Sequence, residues 1–87
     1  MVSQKITLKN SQGFHMRPAS TLASQLSKFK SEVTINYQDT KINAKSLLSI
    51  VAACIKCGSE IEIICNGEDE IEALATAIRL IEHELGD

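Results

Sequence analysis

Val2, Gln4, Ile6 and Leu8 interleave with Ser3, Lys5, Thr7 and Lys9, the two-residue period of a strand with one face turned to a core. The period then changes. Met16, Ala19, Leu22, Leu26 and Phe29 recur at steps of three and four, predicting a helix from about Met16 to Phe29, with Lys28 and Lys30 as positive charge at its negative end. Val33, Ile35 and Tyr37 alternate with Glu32, Thr34 and Asn36 as a second strand. Gln38-Asp39 can turn the chain into a short third strand, Thr40 to Asn43, without the glycine such hairpins favour. Ser46 stands before the apolar run Leu47 to Ala53, an N-cap signal for a short helix too apolar to be fully solvated. Gly58 breaks the pattern, Ile61, Ile63 and Cys65 mark a fourth strand, and Asn66-Gly67 turns the chain. Asp69 with Glu72 has the spacing of a capping box. Ile71, Leu74, Ile78, Ile81 and Leu85 then step through a last helix that Gly86 can end.

The order strand, helix, strand, strand, helix, strand, helix predicts an α+β domain, its helices covering one face of a four-stranded sheet. With 87 residues there is room for one core, so residues 1–87 read as one domain. The chain is 44% hydrophobic but only 3% aromatic, which makes that core aliphatic. A net charge of −2 speaks against nucleic-acid binding, and so few aromatics offer no stacking platform for single strands. No apolar stretch reaches membrane-spanning length, and no basic start leads into a long apolar run, so a cytoplasmic protein is expected. Three cysteines, an odd number, fit a reducing compartment better than a disulfide framework.

The candidate chemistry lies in Gly13-Phe14-His15-Met16-Arg17-Pro18-Ala19. Glycine allows a tight turn, and proline suits the first turn of a helix, where its missing N–H costs nothing. His15 and Arg17 are thereby expected beside unpaired backbone N–H groups at the positive end of a helix dipole, a place for an anion such as phosphate. A largely neutral imidazole can take up a phosphoryl group and pass it on, with Arg17 holding its oxygens by charge-assisted hydrogen bonds. There is no Walker-type loop and no carboxylate cluster suited to magnesium, so no cofactor or metal is expected. On the trio alone, a polar cap beside a surface charge explains the same residues. Cys54-Ile55-Lys56-Cys57 follows a helix instead of starting one, which favours free thiols over a redox pair, and a zinc site lacks ligands beyond Cys65 and His83. His83 itself reads as a surface residue near a helix C-terminus.

Gly13 to Ala19 resembles the phosphohistidine signature of the HPr family, the histidine-containing phosphocarriers of the bacterial sugar phosphotransferase system. Lys45-Ser46-Leu47-Leu48 resembles that family's regulatory serine segment, and Lys56 to Ile63 its run into the fourth strand. The resemblance extends over essentially the whole chain. It implies an open-faced β-sandwich, a four-stranded antiparallel sheet with three helices on one side, acting as a carrier and not as an enzyme. It also implies that His15 receives phosphoryl on Nδ1 from enzyme I, charged by phosphoenolpyruvate, and donates it to IIA domains of sugar permeases, with Arg17 as the steadying arginine. Ser46 matches a serine phosphorylated by an ATP-dependent kinase in some members. A phosphoserine there would add about −2 charge beside the docking residues Met16, Leu47, Leu48 and Val51 without opposing the helix dipole. A monomer is implied. Met16 stands where the family usually has a small residue, and Ser49 and Cys54 where many members have glycine. Two other roles use the same resemblance: a regulatory module acting through Ser46, and a carrier of the nitrogen-related branch. A purely regulatory relative could dispense with the histidine, whereas this chain keeps it together with Arg17.

Overall fold

The computed structural model describes residues 1–8, 16–56 and 58–84, and of residues 16–18, 83 and 84 the backbone alone. The elements follow the predicted order: β1 (Val2–Thr7), α1 (Met16–Leu26), β2 (Glu32–Tyr37), β3 (Thr40–Asn43), α2 (Leu47–Ala53), β4 (Glu60–Asn66) and α3 (Glu70–Arg79), which runs into a π-helical turn at Leu80–Glu84. The strands form one antiparallel sheet in the order β1-β4-β2-β3. Its register puts Ile6 opposite Ile61, and Ile35 opposite both Ile63 and Ile42. Because side chains alternate along a strand, this register gathers the branched aliphatics on one face. There they are buried with Leu22 and Leu26 of α1, Ile50 of α2, and Ala73 and Ala77 of α3. Each such Leu, Ile or Val contributes roughly 1.5–3 kcal/mol by leaving water. The other face carries the row Lys5, Glu62, Asn36 and Lys41 across the four strands. The chain is thus an α+β open-faced sandwich.

The β2–β3 hairpin closes through two residues, since Tyr37 pairs with Thr40. Gln38 and Asp39 both take positive φ, 51° and 64°, the left-handed conformation that a type I′ turn asks of both central residues.

Four sequence expectations are corrected. First, α1 ends at Leu26, short of Phe29. Lys28 N–H donates to Gln25 O and Phe29 N–H to Leu26 O, so the backbone tightens to i→i−3 bonds and leaves the helix. The cation at that end is Lys45, whose Nζ donates to Phe29 O at 2.7 Å, while Lys28 turns to Gln25 Oε1. Second, Gln4 shares the period of Ile6 and Leu8 but is exposed on the edge strand.

Third, Asp69 is the N-cap residue of α3 but makes no side-chain capping bond. Its carboxylate accepts from Lys30 N–H at 2.9 Å, from Ser31 N–H at 2.8 Å, and from the buried Ser31 hydroxyl. The reaching back is done by Glu70, not Glu72: Glu70 Oε1 accepts from Gly67 N–H at 3.3 Å, and Oε2 lies 2.9 Å from the N-terminal ammonium. The Ser31 hydroxyl first, then Lys30 N–H, hold the Asp69 carboxyl down at about 2. Glu70 is lowered too, chiefly by its bond from the N-terminal amino group. Fourth, Ile71 is 73% exposed. The helix turns inward on Ala73 and Ala77, one turn apart, whose small side chains let it lie close to the sheet.

Candidate functional site

His15 lies outside the described residues, as do Gly13 and Phe14. The chain resumes at Met16, where α1 begins, with Arg17 and Pro18 as its second and third residues. Proline there has no N–H to lose to the helix ladder, so the sequence sets the start of α1 at this point. The first turn of α1 contains no acidic residue, so nothing on the helix offsets the positive end of its dipole.

On the other side of the undescribed segment, Leu8 is fully buried and its backbone is bonded twice. Its N–H donates to Ser59 O at 2.9 Å, and its carbonyl accepts from Gly58 N–H at 2.8 Å. These bonds continue the β1–β4 pairing beyond its last pair, Thr7 with Glu60. Nothing in the side-chain pattern signals these backbone bonds.

Helix α2 packs against α1 and follows β3. Ser46 is its N-cap, extended at φ −107° and ψ 112°, and its hydroxyl accepts from Ser49 N–H at 3.3 Å. This is the predicted cap. One turn of apolar surface follows: Ile50 is buried, Leu47 and Val51 are half-buried against the core, and Leu48 is 79% exposed. The Leu48 side chain, held in water, adds little to the fold. The predicted docking residues Leu47, Leu48 and Val51 are thus together on α2, while the side chain of Met16 is outside what is described.

The helix ends at Cys54, left-handed at φ 55° and ψ 42°, whose N–H donates to Val51 O. A glycine would take this conformation without cost, so cysteine stands at a position whose backbone favours glycine. Cys54 is exposed and Cys65 buried, both as free thiols, and Cys57 lies outside the described residues. Burial first, then the charges of Glu70 and Asp69, push the Cys65 thiol up from its ordinary value. Among the described residues no group of three or more His, Cys, Asp or Glu could hold a metal ion, and no helix is long and apolar enough to cross a membrane.

The family profile described as "PTS HPr component phosphorylation site" matches residues 2–83. The phosphocarrier protein HPr of Treponema pallidum (strain Nichols) is 33% identical over 84 residues, covering 97% of this chain and 96% of that protein. The HPr-like protein Crh of Bacillus subtilis (strain 168) is 32% identical over 85 residues, 98% of this chain and 100% of that one. The crystal structure of HPr-C-His from Thermoanaerobacter tengcongensis superposes with a TM-score of 0.94 at 33% identity, covering 100% of this chain and 98% of the other. The chain belongs to the HPr family, phosphocarrier proteins of the phosphotransferase system that are themselves transiently phosphorylated and are not enzymes.

Proposed function

We propose that this chain accepts a phosphoryl group on His15 Nδ1 from phosphorylated enzyme I and passes it to IIA domains of sugar permeases, as a cytoplasmic monomer. The observation that carries the reading is the start of α1: Met16 and Arg17 open the helix, so His15 directly precedes a first turn free of acidic residues. In the transfer, the Nδ1 lone pair attacks phosphorus and forms the N–P bond. The bond from phosphorus to the donor breaks, and its electron pair stays with the donor. Arg17 and the first-turn N–H groups offset the negative charge of the moving group. The return step onto a IIA domain is the same displacement with the imidazole as leaving group. Leu47, Leu48 and Val51 form the apolar part of the docking surface, and Met16 adds to it beside His15.

Ser46 regulates this surface by phosphorylation from an ATP-dependent kinase. Its hydroxyl already points at the first turn of α2, so a phosphate would meet N–H groups there and leave the helix intact. The added charge weakens docking of acidic partners next to Leu47 and Leu48.

The test is incubation with enzyme I and phosphoenolpyruvate. The chain gains one acid-labile, base-stable phosphoryl group, and His15→Ala gains none; a His15→Ala variant labelled as fully as the parent refutes the assignment. Kinase with ATP adds an acid-stable group that Ser46→Ala abolishes. A second reading, a regulatory module acting through Ser46, draws support from the match to the HPr-like protein Crh. A chain that refuses phosphoryl from enzyme I yet is phosphorylated on Ser46 decides for it.

A further inference from the structure

We propose that Lys45 is a positioning residue for partner docking: by tying the entrance of α2 to the exit of α1, it sets where the apolar face of α2 stands. The inference rests on that face being the docking surface of the carrier proposed above. Lys45 is half-buried, and its Nζ donates to Phe29 O at 2.7 Å, across 16 positions of sequence. Phe29 N–H in turn donates to Leu26 O, the last residue of α1. Lys28 and Lys30, which also follow α1, make longer contacts in water, at 3.3 Å to Gln25 Oε1 and 3.4 Å to Glu68 Oε1. A charged donor on a partly buried main-chain carbonyl is the stronger kind of bond.

The backbone of the corner from β3 into α2 is bonded on the sheet side. Ala44 N–H donates to Val33 O at 3.0 Å, Lys45 N–H to Asn43 Oδ1 at 3.0 Å and Ser46 N–H to Asn43 O at 3.1 Å. These bonds fix where the chain leaves β3, and none of them reaches α1. Between α2 and α1 lies apolar packing, with Ile50 buried in the same core as Leu22 and Leu26. Such burial is non-directional, so it holds two helices together without setting their register. A hydrogen bond has a preferred length and angle, and the Lys45 ammonium supplies that directional link. Helix α2 has seven residues, about two turns, too few to be stable alone. Its position therefore follows from its packing and from what holds its ends. At the far end Cys54 N–H closes on Val51 O, a bond within α2 itself.

Lys45→Met keeps the aliphatic stem and removes the ammonium, Lys45→Arg keeps a cationic donor, and Lys41→Met removes one positive charge from an exposed site on β3. All are compared at a temperature where circular dichroism shows them folded, with Lys45→Gln replacing Lys45→Met if that variant does not fold. In Lys45→Met the Ile50 amide, which bonds Ser46 O in the first turn of α2, exchanges with solvent about tenfold faster. Its KM for transfer from phosphorylated enzyme I rises about threefold or more, because the docking face is in place for a smaller fraction of the time. Its kcat stays within about twofold. Lys45→Arg restores both exchange and KM, and Lys41→Met leaves Ile50 exchange at the parent rate. The effect of Lys45→Met on KM persists in ~0.5 M salt, where exposed charges are screened. Parent-like exchange or KM in Lys45→Met overturns the inference. So does a rise in KM that Lys41→Met matches and salt abolishes, the mark of direct attraction between charge and partner. A parent chain that accepts no phosphoryl overturns the carrier reading instead, and the Ile50 exchange rates then decide whether Lys45 places α2.

Discussion

Gly67→Ala tests the close approach of the turn before α3 to Ser31. A Cβ on Gly67 would stand 2.5 Å from Ser31 Cα, 2.6 Å from its Oγ and 2.8 Å from its Cβ. The nearest obstacle is backbone, so no rotamer change makes room. Ser31 is fully buried and donates from both N–H and hydroxyl to Asp69, so moving it also opens that bond network. Overpacking costs about 1–3 kcal/mol, and a backbone obstacle puts this site at the upper end. At roughly 4–8 °C per kcal/mol for a domain of this size, the melting temperature falls by roughly 10–20 °C. Gly58→Ala is the comparison: with open space around its Cβ it incurs only the left-handed conformation, about 1 kcal/mol or roughly 5 °C. Thermal melts followed by far-UV circular dichroism measure both. A Gly67→Ala variant melting within about 3 °C of the parent, or above Gly58→Ala, refutes the argument from close approach.

The Asp69 carboxyl is lowered from 3.8 to about 2, so its contribution to stability is complete above the upper value and is lost as pH falls through that range. Urea midpoints measured across the same range fall less steeply in Asp69→Asn than in the parent; parallel slopes contradict the assignment. Replacing Gln38-Asp39 by Asn-Gly relieves two positive-φ residues on the hairpin and raises stability by about 1 kcal/mol, read from urea unfolding. Iodoacetamide modifies the exposed Cys54 in the native protein and spares Cys65, whose thiol is buried and raised, until urea is added; peptide mapping that finds both alkylated at one rate refutes this.

The order of elements was legible because each carries its own period, and the Ser46 cap because its partner, Ser49, is three residues away. The misread features depend on distant residues. Asp69 and Glu72 have capping-box spacing, yet the stronger claim on Asp69 comes from residues 38 and 39 positions earlier, which no local pattern encodes. Lys28 and Lys30 follow α1 in sequence, but Lys45, which follows β3, is the one that caps Phe29 O just beyond its end. Ile71 fits the apolar period of α3, and only the placement of that helix on Ala73 and Ala77 leaves it in water. At the candidate site, the motif was readable and so was the apolar face of α2. The bonds that hold Leu8 were not, because backbone groups leave no mark on side-chain pattern.

The two ends of the β1–β4 pair are held in different ways. Six paired residues at about 3.3 Å each separate them by about 20 Å. At the end near Val2, Gly67 gives way to Ser31, and Asp69 ties the start of β2 to the start of α3, a lock made of buried and charge-assisted bonds. At the other end Leu8 is held by its buried side chain and two backbone bonds, and Gly58, which supplies one of them, takes a left-handed φ that glycine adopts freely. Damage at the first end lowers the melting temperature through the close approach to Ser31 and the Asp69 bonds that depend on it. Damage at the second, as in Gly58→Ala, brings only the cost of the left-handed conformation, because an added Cβ there meets nothing within 4 Å. The fold is thus far more sensitive to an added methyl group at residue 67 than at residue 58.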